Sequence, residues 1–247
     1  MRLNALHLKI IALTLMFIEH FGRFLPSAMP PDYPSFFLHT GRVVAPIFFF
    51  LAVESYFKTR HRRAYVIRLF VWAGIMALGN FGMYSVVNKM YGADNAFRDE
   101  TIAGFNILLA IAVYVSLVAV LEWTRVQSSW KKVLGCLGVL AVGFGVRWVE
   151  YSYLGFSMVL VFYFFYNKKP EVYIVYAALC LVILRLGLMS NLHHFWVHES
   201  QWAMIGALPF FIFYNGERGR PNLKYLFYVF YPLHVWVLYY LSYATTF

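Results

Sequence analysis

Long apolar runs alternate with short polar gaps along the whole chain. A membrane-spanning helix needs about 20 predominantly apolar residues, and that window predicts nine helices. They run approximately over Leu6–Leu25, Arg42–Phe57, Tyr65–Val87, Ala103–Glu122, Val133–Val149, Tyr153–Tyr166, Val172–Met189, Gln201–Tyr214 and Lys224–Tyr243. The second, sixth and eighth are short, so one of them is a candidate re-entrant segment. Pro46, Pro209 and Pro232 are expected to bend the second, eighth and ninth. Without an internal repeat or a low-complexity tract, residues 1–247 read as a single all-α integral-membrane domain.

Composition agrees. Of the 247 residues, 62% are hydrophobic and 13% charged, against about 25% charged in a soluble domain. This excludes a water-soluble globule, disorder, collagen and a coiled coil. Cys136 and Cys180, both inside apolar runs, exclude a disulfide scaffold. The net charge of +10 raises nucleic acid as a partner, and the placement of the charges argues against it. Arg2 and Lys9, then Lys58, Arg60, Arg62 and Arg63, then Arg125, Lys131 and Lys132, then Lys168 and Lys169, then Arg218, Arg220 and Lys224 fall on one side of the alternation. The other side has only Lys89 and Arg98 between helices. Positive-inside bias therefore predicts a cytoplasmic N-terminus, a C-terminus outside and the lipid bilayer as partner. Glu19, His20 and Arg23 interrupt the first apolar run, which reads as a retained span rather than a cleaved leader.

Ionisable residues inside the runs carry the chemistry. A carboxylate or arginine at the centre of a span costs around 2.5–3.5 kcal/mol facing lipid. Glu19, Glu54, Arg68 and Arg185 are therefore expected to face one another, water or a ligand. His20 lies roughly 16 Å along its helix from Lys9, and His234 roughly 15 Å from Lys224. Both reach mid-membrane depth, so they suit a reaction centre or a proton or metal path; each equally suits a bond to a neighbouring helix. Glu19 and Arg23, and Glu54 and Lys58, have the spacing of local ion pairs. Arg42 is expected at the outer start of its span, and Arg68 one turn inside the cytoplasmic boundary, snorkelling to water. The basic loops "KTRHRR" and "YNGERGRPNLK" suit either phosphates of a nucleotide-like cofactor or topology and anionic lipid. Gly216 and Gly219 would let backbone amides approach an anion. His193, His194, His198 and Glu199 are metal-like in type but not in arrangement, and no metal is expected.

Three stretches resemble the TraX family, integral-membrane proteins linked to N-terminal acetylation of conjugative pilin. They are "LKIIALTLMFIEHFG" (Leu8–Gly22), "GRVVAPIFFFLAVESYFKTRHRRAYVIRL" (Gly41–Leu69) and "YNGERGRPNLKYLFYVFYPLHVWVL" (Tyr214–Leu238). A more distant likeness is to the acyltransferase-three membrane superfamily, in which a basic residue, ten intervening positions and a histidine mark the first span. Lys9 and His20 fit that spacing. Glu19 stands where the TraX family usually has aspartate, and Glu54–Ser55 where Glu-Gly is expected.

The resemblance implies a multi-pass protein of the bacterial inner membrane that moves acetyl from cytoplasmic acetyl-CoA to an acceptor amine or hydroxyl. The acceptor would be a pilin N-terminus or another surface peptide or glycan. On that implication Lys9, Arg60, Arg62, Arg63, Arg68, Arg218 and Arg220 bind the acyl donor. His20 acts as base or nucleophile, with Glu19 orienting charge nearby. Neighbouring helical residues point about 100° apart, so a direct Glu19–His20 contact is not expected, and Glu54 or Tyr231 is expected to fix the His20 tautomer. His234 or Arg68 would stabilise an oxyanion. The other classes are a proton-coupled small-molecule transporter and a non-catalytic pilus or conjugation assembly factor.

Overall fold

The described residues of the apolar segments are mostly helical in the computed structural model, which describes residues 2–29, 34–91, 104, 106–188, 200–220 and 225–245. The helices are α1 (Ala5–Phe24), α2 (Pro34–Lys58), α3 (Arg62–Tyr91), α4 (Ile107–Arg125), α5 (Ser129–Gly145), α6 (Ser152–Phe164), α7 (Glu171–Leu188), α8 (Leu208–Phe213) and α9 (Leu226–Ala244). Short 3₁₀ turns occupy Pro26–Ala28 and Val146–Trp148, and a longer one, Ser200–Ala207, leads into α8. Among the described residues, five helices are long and apolar enough to cross a membrane: Ala5–Phe24, His39–Lys58, Arg62–Tyr91, Ile107–Arg125 and Ser129–Trp148. Ser152–Phe164 and Gln201–Phe213 are apolar but shorter.

Two boundaries differ from expectation. The second helix starts at Pro34 rather than Arg42, so Arg42 lies inside it. Gly41, inside this extension, sits tightly against Glu19 of α1. Pro209 bends no span; it stands in the first turn of α8, where its missing N–H is harmless. Pro46 and Pro232 lie inside helices, as anticipated.

The helices form two compact units, residues 1–48 with 167–247 and residues 49–166. In the first, α1 packs on α9, and α7 packs on the 3₁₀ turn and α8. Tyr176 donates to the Met204 carbonyl at 2.6 Å and Tyr173 to the Phe211 carbonyl at 3.0 Å, tying α7 to that segment. Residues 3–5 pair with the 213–217 strand-like turn: Leu3 N donates to Phe213 O, Asn215 N to Leu3 O and Ala5 N to Glu217 O. Asn4 then caps α1 by accepting from His7 N at 3.0 Å.

In the second unit α4 is the centre. It contacts α3, α5 and α6, and its sequence is apolar all round, as a helix enclosed by others must be. Tyr114 is buried on α4 and donates to the carbonyls of Glu150 and Ser152 at 2.9 and 2.8 Å. Those bonds hold the turn into α6, where Tyr151 and Ser152 have φ of 63° and 38°. Left-handed backbone at residues with a side chain persists only where neighbours over-determine it. Gly155 leaves room for the phenol, since a Cβ there would lie 2.6 Å from Tyr114 Cζ. Tyr114→Phe is expected to cost about 1 kcal/mol through the lost hydrogen bonding. Gly155→Ala is expected to cost more, in the range of about 1–3 kcal/mol for overpacking. Thermal unfolding of the detergent-solubilised variants checks the order.

Candidate functional site

α1 and α9 bring together the two mid-helix histidines. His20 and His234 are 5% and 6% exposed, close to full burial for side chains that bond strongly to water. Their rings stack nearly parallel, 5.0 Å between centroids with 10° between planes. His20 Nδ1 lies 2.8 Å from His234 Nε2. The second nitrogen of His234, Nδ1, lies 2.8 Å from the backbone carbonyl of Phe230, one turn earlier on α9. The second nitrogen of His20, Nε2, lies 3.1 Å from Glu19 Oε2. The other oxygen of Glu19 meets Arg23 Nε at 3.4 Å. Three polar contacts thus run in series, from a peptide oxygen through two imidazoles to a carboxylate.

The Glu19–His20 contact corrects the expectation that adjacent helical residues stay apart. A glutamate has enough side-chain torsions to fold back beside its neighbour's ring, and Gly41 clears the path. A Cβ on Gly41 would lie 2.9 Å from Glu19 Cδ and 3.1 Å from its Cβ, so any other residue there would collide with the glutamate. The glutamate at position 19 is therefore accommodated by a missing side chain on α2. The apolar sides of the pair are walled by aromatic rings: Phe17 and Phe230 against His234, and Phe24 against His20. Water-poor walls strengthen the polar contacts they enclose.

The remaining predicted residues take other places. Tyr231 is buried, its ring 6.2 Å from His20 and 5.7 Å from His234. Glu54, on the part of α2 that belongs to the second unit, pairs with Lys58 at 2.8 Å, the local pairing its spacing suggested. Glu19 and His234 are bonded to the His20 ring nitrogens. Lys9 is half-buried on α1. Arg60 and Arg63 are exposed; Arg62 lies 3.8 Å from Glu122 and faces the rings of Tyr56 and Phe57. Arg68 is only partly exposed, its guanidinium 5.6 Å from the Tyr65 ring centre.

Arg218 and Arg220 are exposed on the loop that pairs with residues 3–5. Gly216 and Gly219 do adopt the left-handed backbone that glycine favours, with φ of 82° and 79°. Gly219, however, faces the side chain of Asn4: a Cβ would lie 2.8 Å from Asn4 Cγ. This glycine is explained by packing against the α1 cap and need not cradle an anion. His193, His194, His198 and Glu199 lie outside the described residues, as do Arg98 and Lys224.

The comparisons with known proteins cover nearly the same length of chain. A family model described as "TraX protein" matches residues 5–242. A relative named "Probable fimbrial assembly protein FimC, serogroup H1", from Dichelobacter nodosus, is 25% identical over 242 residues, which are 95% of this chain and 94% of that protein. No solved structure matches.

Proposed function

The chain belongs to the TraX family, and from that premise we propose that it is a membrane-embedded acetyltransferase of the bacterial inner membrane. It draws acetyl from cytoplasmic acetyl-CoA and delivers it to an amine or hydroxyl at the membrane. The acceptor is a polypeptide or glycan of a surface structure, in keeping with the fimbrial assembly named for the relative. The N-terminus is cytoplasmic and the C-terminus outside, as the distribution of Lys and Arg favours. All nine helical segments belong to the membrane domain. The observation that carries the reading is the series Glu19–His20–His234, with both histidines buried.

The series supplies proton transfer where water is scarce. An acceptor amine attacks the thioester carbonyl carbon; its nitrogen gains the carbon bond and sheds a proton to the Glu19–His20 pair. The carbon–sulfur bond then breaks, and the departing thiolate takes a proton back. The products are an acetylated amine and free coenzyme A, and the pair ends with the proton count it began with. Arg218 and Arg220 offer cations for the phosphates of the donor.

A proton-coupled transporter would use the same residue types as a path. A path needs groups that both accept and donate, and this series ends on the Phe230 carbonyl, which only accepts. That dead end favours local proton exchange over conduction.

Binding of acetyl-CoA to the purified protein in lipid nanodiscs, followed by calorimetry, tests the donor. Saturable binding is expected, and its absence overturns the proposal. Arg218→Ala with Arg220→Ala is expected to raise the KM for acetyl-CoA more than it lowers kcat; an unchanged KM returns that loop to topology and packing. Surface peptides and glycans from cells with and without the gene, compared by mass spectrometry, identify the acceptor through a lost acetyl adduct.

A further inference from the structure

The three contacts in series restrict where protons sit. A peptide carbonyl has no proton to give, so the 2.8 Å contact to Phe230 O requires N–H on His234 Nδ1. A neutral imidazole has one N–H. His234 Nε2 is then a bare acceptor, and the 2.8 Å contact to His20 Nδ1 requires N–H on that atom of His20. One nitrogen remains, His20 Nε2, opposite Glu19 Oε2 at 3.1 Å. Two bare acceptors facing at that distance would repel, so one proton lies between them. Whether that proton sits on nitrogen or on oxygen, the series as a whole is uncharged. Moving the inner proton onto His234 would put the positive charge a whole ring further from Glu19, a weaker arrangement. The charged groups against the series are Arg23, on the far oxygen of Glu19, and Arg42 of α2; Tyr231 is the titratable ring beside both histidines.

We propose that His234 is a positioning residue: the Phe230 carbonyl holds it as the Nδ1–H tautomer, and it in turn leaves His20 Nε2, facing Glu19, as the single atom of the series that exchanges a proton. His234 touches neither substrate nor oxyanion, because its one N–H is committed to Phe230. The use of Nε2 in acyl transfer rests on the proposed function; the tautomer assignment stands without it. The choice of nitrogen matters because a histidine held in the wrong tautomer presents a proton where a lone pair is needed.

The test is nitrogen NMR of protein labelled with ¹⁵N-histidine in nanodiscs, with His20→Asn and His234→Gln assigning the two rings. The wild type is expected to show a protonated Nδ1 and a bare Nε2 on His234, and a protonated Nδ1 on His20. His234→Gln keeps an acceptor oxygen opposite His20 Nδ1 and is expected to preserve that proton; His234→Leu removes the acceptor and is expected to release His20 into mixed tautomers. In transfer assays His234→Leu should lower kcat on the order of 10²–10⁴-fold without raising the KM for acetyl-CoA, with partial recovery in His234→Gln. A protonated Nε2 on His234 in the wild type overturns the proposal, as does a His20 ring that reads the same in His234→Gln and His234→Leu. If the spectra follow expectation and the wild type binds no acetyl-CoA, the acyl-transfer reading falls and the tautomer assignment remains.

Discussion

Alanine in place of His20 is expected to abolish acetyl transfer while the protein still reaches the membrane at its normal level. The imidazole is the one group of the series with a nitrogen facing the carboxylate and another committed inward. Loss of a positioned acid–base group typically costs about 10²–10⁴-fold in rate, and here no neighbour replaces it. Glu19 is held by Arg23 on its other oxygen, and His234 is spent on Phe230. His20→Ala also leaves two buried polar partners unmatched, so His20→Asn is the companion variant. Its amide retains a donor toward His234 but has nothing that titrates, and it too is expected to be inactive. The measurement is the acetyl adduct on surface peptides and glycans of cells carrying each variant, beside the amount of protein in the membrane fraction. Persistent acetylation with either variant removes His20 from the chemistry.

The all-helical fold was legible because lipid imposes a simple requirement on composition. A run of apolar residues long enough to matter leaves few conformations in which backbone groups are satisfied. Depth was legible for the same reason: a fixed rise per residue put His20 and His234 at one level, and they meet. The local pairs Glu19–Arg23 and Glu54–Lys58 follow from helical spacing alone. What sequence spacing could not supply was the path of a long side chain. The 100° between Glu19 and His20 describes their Cβ directions, whereas the contact is made by atoms three bonds further out on each side chain. Whether those atoms turn toward His20 depends on Gly41, which is distant in sequence and marked only by its small size. The Phe230 carbonyl was hidden for a related reason, since every residue offers one and only the fold selects which accepts a side chain. The pairing of residues 3–5 with the 213–217 turn joins distant parts of the chain without any periodic signal. It also gives Gly219 a packing role in a stretch whose sequence suited either an anion or topology.

Gly41→Ala is expected to be nearly as damaging as the loss of His20, through geometry rather than chemistry. A methyl group at position 41 enters the space held by the Glu19 side chain, at 2.9 Å from Cδ and 3.1 Å from Cβ. The glutamate must swing away, and the contact with His20 Nε2 goes with it. Overpacking of this kind costs about 1–3 kcal/mol, so a lower thermal midpoint in detergent should accompany the lost transfer. Combining Gly41→Ala with Glu19→Ala separates the two effects. The shortened residue at 19 removes the colliding atoms, so the double variant is expected to recover most of the thermal midpoint of the parent while remaining inactive. Stability without activity would assign Gly41 to making room for Glu19. A double variant as unstable as Gly41→Ala alone would mean that the glycine is required by the backbone approach of α1 and α2 themselves, and the glutamate's path would then be a consequence of that approach instead of its reason.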